Sequence, residues 1–225
     1  MTEPRAADFA HIAMALHGAD GVNATLDRIA DLACKTVESD MCGVMVVHRG
    51  NRVETAAVTD DRVRQADELQ IECGEGPCLE AMDDQSVFII HDTSTETRWE
   101  SWCRRVTDLD VRSVLSVRLF TLHQTIGSLN VYSSQPHHFT ERDAIIGGIF
   151  AGHASVALAA AQTEAGLREA MDSRHMIGLA QGMLMERFDL DREHAFAVLR
   201  RYSQDRNIKL RNVAQYVVDR RGLPE

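Results

Sequence analysis

The spacing of hydrophobic residues changes along the chain, and each stretch of constant spacing predicts one helix or strand. Apolar residues follow helical spacing over residues 5–17 and 22–38, so two amphipathic helices precede the first strand. Extended runs over residues 44–48 and 53–58 predict a β-hairpin. The rest of this half is predicted as helix, short helix, strand, helix and two strands, over residues 62–71, 78–82, 87–90, 98–109, 113–121 and 125–133. Helices mixed with antiparallel strands predict an α+β fold.

After Pro136 the pattern is helical to the end of the chain. Thr140 is placed to cap a helix, and no strong helix breaker occurs before Phe188. A helix of this length extends beyond one globular domain, so we expect a linker helix over about residues 140–172. Its small residues Gly148, Gly152, Ala159 and Ala160 would let a second helix approach closely, which predicts a homodimer. A helix that only covers one face of the sheet explains its first half equally well.

The C-terminal part reads as three helices. The first ends near Phe188, Asp191 is placed to cap the second, and the third runs from Leu210 to Arg220. We therefore expect one domain over residues 1–160 and a small three-helix bundle over residues 161–225. Gly182 lies inside the first helix, where glycine is unfavourable, and so predicts a neighbouring helix that passes too close for a side chain.

Composition indicates a soluble protein. Of 225 residues, 44% are hydrophobic and 26% are charged, and we expect no apolar run to approach the length needed to span a bilayer. The N-terminus has no apolar block of the signal-peptide type, so a cytoplasmic location is expected. The five cysteines are odd in number and irregularly spaced, which argues against a disulfide framework.

Charge is distributed unevenly between the two parts. Residues 168–225 hold 11 Lys and Arg against 9 Asp and Glu, whereas residues 1–167 hold 13 against 25. An acidic body repels phosphate backbones, so any nucleic-acid contact is expected in the C-terminal part.

Three segments of that part resemble the ANTAR domain family. Residues 173–187, SRHMIGLAQGMLMER, follow the pattern of the family's first helix, and residues 193–200 and 207–214 are similar to its second helix and to the start of its third. The resemblance implies a three-helix RNA-binding module, used in pairs on tandem RNA hairpins that overlap a transcription terminator. Many members have lysine at the position of Gln181, so this chain has one cationic contact fewer there.

Cations and hydrogen-bonding side chains in this module are the predicted RNA contacts, because they suit phosphates and unpaired bases. The predicted set is Arg174, Gln181, Arg187, Arg201, Ser203, Arg206, Asn207, Lys209 and Arg211. The alternative is an ordinary solvated surface, in which these arginines are balanced by neighbouring carboxylates such as Glu186 and Asp205.

Residues 20–160 resemble GAF domains. The similar pieces are GEGPCLEA at 74–81, Asp92 with Arg98 and Trp99, VRSVLSV at 111–117 and IGSLNVY at 126–132. The resemblance implies a central antiparallel sheet, with helices on one side and a ligand pocket between the sheet and the loops on the other. Ligands in the family range from cyclic nucleotides to haem and linear tetrapyrroles, so the cofactor or ligand stays unassigned.

Cys73, Cys78 and Cys103 are the residues that could carry chemistry in this domain. They could form a redox-sensing pair, or serve a GAF-type methionine-sulfoxide reductase, or simply be buried apolar residues. Their spacing fits no metal template, the ten histidines are scattered, and no catalytic triad or phosphate-binding loop occurs. We therefore expect neither a metal site nor an enzyme.

These observations together predict a signal-responsive RNA-binding transcription antiterminator. The GAF domain would sense a small ligand or a redox state and control the binding of the ANTAR domain to hairpins in nascent transcripts. The rival hypothesis is a thiol-redox sensor or reductase-like enzyme whose C-terminal helices serve only as a dimerisation module.

Overall fold

A computed structural model describes residues 6–48, 50–83 and 87–223, with side chains from residue 10 onwards. Arg5 and Arg49, which the sequence assigns to the first helix and to the hairpin turn, lie outside the described residues. The chain forms two compact units, one up to Gln162 and one from Thr163.

The first unit is built on a five-stranded antiparallel sheet, as the α+β prediction requires. The spatial order is β2-β1-β5-β4-β3. The strands are β1 (Met41–Val47), β2 (Val53–Val58), β3 (Val87–Ile90), β4 (Ser113–Phe120) and β5 (Thr125–Ser133). Gly127 of β5 passes so close to β1 that an added Cβ would lie 1.9 Å from the Met45 carbonyl oxygen, so only glycine fits there.

Three helices pack on the outer face of this sheet and enclose an apolar core against it. The helices are α1 (Ala6–His17), α2 (Val22–Thr36) and the first half of α6 (Glu141–Phe188). Ile29, Leu129 and Phe150 are fully buried in this core. The Ser155 hydroxyl of α6 accepts the Phe120 amide at 3.0 Å and so attaches the helix to the end of β4.

The inner face of the sheet is covered by α3 (Asp61–Cys73), α4 (Pro77–Asp83) and α5 (Glu100–Thr107). Trp102 is completely buried here and donates its indole N–H to the Ala66 carbonyl at 2.9 Å, which ties α5 to α3. Inner and outer faces therefore have separate cores, and the inner one lies on the side where the family resemblance implies a ligand pocket.

By length and composition alone, α6 could cross a membrane, which corrects the expectation that no apolar run approaches that length. Yet 44% of its most apolar 18-residue window is buried within the protein. Phe150, Ala154 and Leu158 of this helix pack against the sheet. A helix in the core of a soluble domain has the same composition, so this finding is weak support for a membrane span.

The second unit consists of the C-terminal part of α6 with α7 (Arg192–Asp205) and α8 (Leu210–Arg220). Its core is small, with seven buried residues: Ala180, Leu184, Ala195, Leu199, Val213, Ala214 and Val217. The predicted cap of α7 is confirmed, because the Asp191 carboxylate accepts the His194 amide at 2.8 Å. Helix α8 begins and ends where the sequence predicts.

The expectation for Gly182 is wrong within the described residues. Gly182 is exposed, and a Cβ added to it would meet nothing within 4 Å; the same holds for Gly178 one turn earlier. No helix that the structure describes in this bundle passes there. Gly178 and Gly182 therefore lie on an open surface of α6 and not at a close contact inside the bundle.

Candidate functional site

The glycine-rich loop before α4 connects three helices through side-chain hydrogen bonds. Gly74 adopts the left-handed conformation that ends α3. Glu75 then reaches α5, where its carboxylate accepts the backbone N–H groups of Ser101 at 2.8 Å and Trp102 at 3.1 Å. These are the N–H groups that a helix start leaves without a partner, so Glu75 caps α5 from a distant part of the chain.

Gly76 in the same loop makes room for Gln70. With φ at +148°, an added Cβ would lie 2.2 Å from the Gln70 amide oxygen. That amide accepts the Cys78 N–H at 2.9 Å and donates to the Cys78 sulfur at 2.8 Å. The loop is thus shaped around one buried glutamine, which fixes α4 on the inner face.

A buried carboxylate lies beside this loop. Asp67 of α3 is fully buried and accepts hydrogen bonds from the Tyr132 hydroxyl at 2.6 Å and the Thr55 hydroxyl at 3.0 Å. Burial raises the pKa of Asp67 to about 7, against the opposing effect of these hydrogen bonds. The group therefore changes charge near neutral pH.

Further polar side chains extend this network across the two central strands. Ser116 donates to the Asn130 amide oxygen at 2.9 Å. The Ser128 hydroxyl is buried and has no hydrogen-bond partner among the described residues. The buried Asn130 amide nitrogen has none within hydrogen-bond distance there, although it lies near enough to Asp67 to oppose the rise in the pKa of that carboxyl. We refer to Asp67, Gln70, Cys78, Ser116, Ser128, Asn130 and Tyr132 together as the inner polar cluster.

Sequence reasoning missed the inner polar cluster, although one signal was present. Ser116, Ser128 and Asn130 alternate with apolar residues on predicted strands, which is the period expected when one face of a strand is polar. That pattern is typical of a solvent-facing side. Only the helices packed above it show that this face is buried.

A cleft opens at one end of the inner face. Its volume is about 880 Å³, and its walls include Val47, Val53, Leu79, Met82 and Thr125. The neighbouring Arg118 donates to the Thr125 hydroxyl at 3.0 Å and lies directly across the ladder from Ser128. The sheet thus offers hydrogen-bond donors next to a cleft that is lined by both polar and apolar residues and has the size of small-molecule sites.

The three cysteines of the redox hypothesis lie in different surroundings. Burial raises the pKa of both Cys78 and Cys103 to about 12, so their thiols stay protonated. Cys73 is partly exposed, and Arg105 donates to its sulfur at 3.7 Å. All five cysteines are free, and within the described residues no three His, Cys, Asp or Glu side chains are grouped to hold a metal ion.

The RNA contacts predicted in the second unit separate into two groups. Arg211 is bonded to Glu169 at 3.2 Å, which places the α7–α8 turn with Arg206, Asn207 and Lys209 beside the earlier part of α6 in this unit. Arg174 lies on that part of α6, whereas Arg187 lies 13 residues later, about 20 Å along the helix. One continuous cationic surface does not contain both arginines.

Several of these side chains already hold the bundle together. The Gln181 amide donates to the Arg192 carbonyl at 3.2 Å, and the Ser203 hydroxyl donates to the Ile208 carbonyl at 2.6 Å across the α7–α8 turn. Arg201 pairs with Asp205 at 3.4 Å.

Arg174, Arg206 and Lys209 are exposed, and no described carboxylate lies within ion-pair distance of them. These three cations are the best placed to meet phosphates.

Two further cations were missed by the sequence analysis. Arg220 and Arg221 end α8, and the Arg187 guanidinium donates to the Arg221 carbonyl. Arg187 therefore belongs to a second cationic group at the far end of the bundle. This grouping depends on how α6 and α8 pack, because 33 residues separate Arg187 from Arg220 along the chain.

Solved structures contain the fold of the first unit. The GAF domain of an Acinetobacter phosphoenolpyruvate-protein phosphotransferase has a TM-score of 0.57 at 15% identity and covers 74% of this chain and 99% of its own. A free methionine-R-sulfoxide reductase from Neisseria meningitidis, in complex with its substrate, gives 0.55 at 18%, with 73% and 96% covered. The cyanobacteriochrome TePixJ GAF domain gives 0.55 at 19%, with 66% and 95% covered. At these identities the likeness establishes the fold alone.

Comparison with families identifies both units. Residues 19–159, more than half of the chain, match the GAF domain family, and residues 165–218 match the ANTAR domain family. No curated protein sequence matches the chain. The two matches follow the order that the sequence motifs predict and describe a signal-sensing regulator with an RNA-binding output. The chain therefore belongs to the GAF domain family and carries an ANTAR domain after its GAF domain.

Proposed function

We propose that this protein is a cytoplasmic transcription antiterminator in which a small ligand in the GAF domain controls the binding of the ANTAR domain to hairpins in nascent RNA. The observation that carries the proposal is the order of the two matched domains together with the exposed cations of the second.

RNA binding is supported by the exposed cations at the α7–α8 turn. Arg206 and Lys209 have no described carboxylate partner, so no ion pair has to break before they meet a phosphate. Asn207 between them adopts a left-handed conformation with φ at +51° and exposes its amide. A turn with two cations and one amide can neutralise loop phosphates while it reads a base edge.

Ligand sensing is supported by the inner polar cluster. The Ser128 hydroxyl and the Asn130 amide nitrogen are buried without partners, which is unfavourable by about 1–3 kcal/mol per group unless something binds them. Arg118 adds a donor beside Ser128. These groups favour a small polar ligand that brings hydrogen-bond acceptors to the sheet.

The sheet itself offers a route from that ligand to α6. Residues of β4 and β5 alternate between the inner polar cluster and the outer core, so a shift of these strands moves the surface on which α6 rests. The bond between Ser155 and the Phe120 amide attaches α6 to the end of β4. Because α6 continues into the ANTAR domain, a small change in its packing can alter the output by population shift.

Homodimerisation through α6 is part of the proposal. Ile145 and Val156 are 66% and 70% exposed, and Gly148 and Gly152 between them have open space where a side chain would be. Ile145, Ile149, Gly152 and Val156 follow spacings of four, three and four residues, which is the pattern of a helix seam. A second copy of α6 would bury this apolar stripe.

Thiol chemistry is the rival function, because one similar fold belongs to a methionine-R-sulfoxide reductase. A catalytic cysteine has to be a thiolate, and burial keeps the thiols of Cys78 and Cys103 protonated, which argues against thiol catalysis by these two cysteines. We therefore propose a binding domain rather than an enzyme.

The experiment is selection of RNA by the full-length protein from a library of two-hairpin RNAs with randomised loops. The enriched RNA is then measured against a control with the same stems and scrambled loops. We expect tighter binding of the enriched RNA, lower affinity at higher salt, and read-through of a terminator that overlaps the second hairpin.

Enrichment of no hairpin, together with reduction of methionine sulfoxide by the same sample, would replace the proposal with the rival function. A mass spectrum of the natively purified protein tests the ligand step. We expect a small molecule that is lost when Asn130 is changed to leucine.

A further inference from the structure

A pocket in the ANTAR domain lies apart from the α7–α8 turn. It opens between the C-terminal ends of α6 and α8 and has a volume of about 490 Å³, within the range of small-molecule sites. Met183, Leu184 and Val217 form an apolar floor, and Glu186, Arg187 and Arg221 stand at the rim. An apolar floor with charged groups at its edge suits a flat ligand that carries charge beside it.

The rim of this pocket is held in place. The Arg187 guanidinium donates to the Arg221 carbonyl and lies 5.5 Å from the centre of the Phe188 ring, which is 48% exposed. Arg221 has φ at +53°, a left-handed conformation that favours glycine. Arg221 therefore presents its side chain at the pocket from an unfavourable backbone conformation, with Gly222 directly after it.

We propose that this pocket binds an unstacked base from the loop of the RNA hairpin. This inference rests on the proposed function and names the second contact of the same ANTAR domain. The base plane would lie on Met183 and Val217, and the guanidinium groups of Arg187 and Arg221 would hold the base edge or the flanking phosphates. Loop bases are the part of a hairpin that can leave the stack and reach such a pocket.

Charge favours a nucleotide over an apolar peptide side chain. Two arginines, Arg187 and Arg221, line the pocket against one acid, Glu186, and Asp219 and Arg220 directly precede Arg221 in the chain. The Asp219 carboxylate already accepts the Gln215 amide at 2.8 Å. A base inserted here would bring phosphates on both sides to these cations.

The experiment uses the full-length protein and the hairpin RNA enriched above, made with an abasic sugar at each loop position in turn. For the wild type we expect one loop position at which loss of the base weakens binding about tenfold or more. Met183→Trp should fill the pocket and cause a similar loss with the intact loop. At that one position, abasic RNA and the variant should not add their losses, because both remove the same contact.

Two further variants separate binding from folding. Arg221→Gly keeps the left-handed backbone, so the bundle should melt at the wild-type temperature or above while RNA affinity falls several-fold. Phe196→Trp inserts an indole on α7 outside the pocket and should bind RNA as the wild type does.

Additive losses at every loop position, or unchanged RNA affinity in both pocket variants, would overturn the inference and leave the pocket to a protein partner. In either case wild-type binding of the enriched hairpin would leave the proposed function standing. Enrichment of no hairpin would instead contradict the proposed function itself.

Discussion

The two domains keep their polar chemistry in opposite places. In the GAF domain, polar and charged groups such as Asp67, Gln70 and Asn130 are completely buried, whereas every buried residue of the ANTAR domain within the described residues is apolar. The cations of the ANTAR domain are exposed instead. Buried, fixed polar groups strengthen hydrogen bonds to a bound ligand, whereas contact with phosphates needs exposed cations that displace the counterions condensed on the nucleic acid. The comparison predicts that equivalent changes will have different consequences in the two domains.

The largest effect is expected from cavities in the two cores. Leu199→Ala should destabilise the ANTAR domain by about 2–5 kcal/mol, enough to unfold a bundle with so few buried residues. Both tryptophans, Trp99 and Trp102, lie in the GAF domain, so their fluorescence transition should stay at the wild-type temperature while helical circular dichroism is lost. Leu129→Ala should give the reverse pattern. A shift of the fluorescence transition in Leu199→Ala would show that the domains unfold together.

The next effect concerns the buried carboxylate. Since the folded pKa of Asp67 is about 7 and its unfolded value is near 4, folding takes up a proton between these values. The contribution of Asp67 to the free energy of unfolding is therefore fully present below pH 4, is lost as the pH rises to 7, and does not change further above pH 7. The fall should reach up to about 4 kcal/mol and be absent in Asp67→Asn. Urea unfolding followed by tryptophan fluorescence at pH 5 and pH 8 should record about 2–3 kcal/mol of this fall, and equal pH dependence in both proteins would contradict the buried-charge account.

A smaller effect is expected at the surface cations. Lys209→Ala should weaken RNA binding and lower the salt slope by about 0.7, because one phosphate contact is lost. Arg211→Ala should weaken binding less, since Arg211 has to leave Glu169 to reach a phosphate.

Lys35→Ala, on α2 of the GAF domain, is the matched control and should change neither quantity. If the control and the Lys209 variant behave alike, general charge rather than the α7–α8 turn determines affinity.

The smallest effect is expected at the exposed glycine of α6. Gly182→Ala should stabilise the ANTAR domain by about 1 kcal/mol, because alanine favours the helix and its Cβ meets nothing within 4 Å. Gly127→Ala in the GAF domain should instead be destabilising, since its Cβ would collide with the Met45 carbonyl. Thermal melts of both variants test the contrast. Destabilisation by Gly182→Ala would restore a close contact at this face, for example with a partner helix.

The features that the sequence determined by itself depend either on residues close together in the chain or on motifs that occur in a fixed order. Helix caps such as Asp191 with His194, and strands such as β5, depend on residues a few positions apart, so their limits follow from pattern and turn chemistry. The ANTAR and GAF motifs identified both families because several segments agree in order and spacing. The predicted domain limits and the individual RNA contacts stay predictions.

Only the tertiary structure decided which distant residues meet. Asp67 and Tyr132 are 65 residues apart, Glu75 caps a helix 26 residues later, and Arg187 bonds a carbonyl 34 residues away. Periodicity cannot say whether the polar face of a strand meets water or a helix, and so it missed the inner polar cluster. The prediction of a close neighbour for Gly182 was wrong, because a glycine in a helix shows only that a side chain is absent and not what packs beside it. Burial and contact are properties of the packed chain. They determine the protonation of Asp67, and they separate the arginines of the ANTAR domain into two groups.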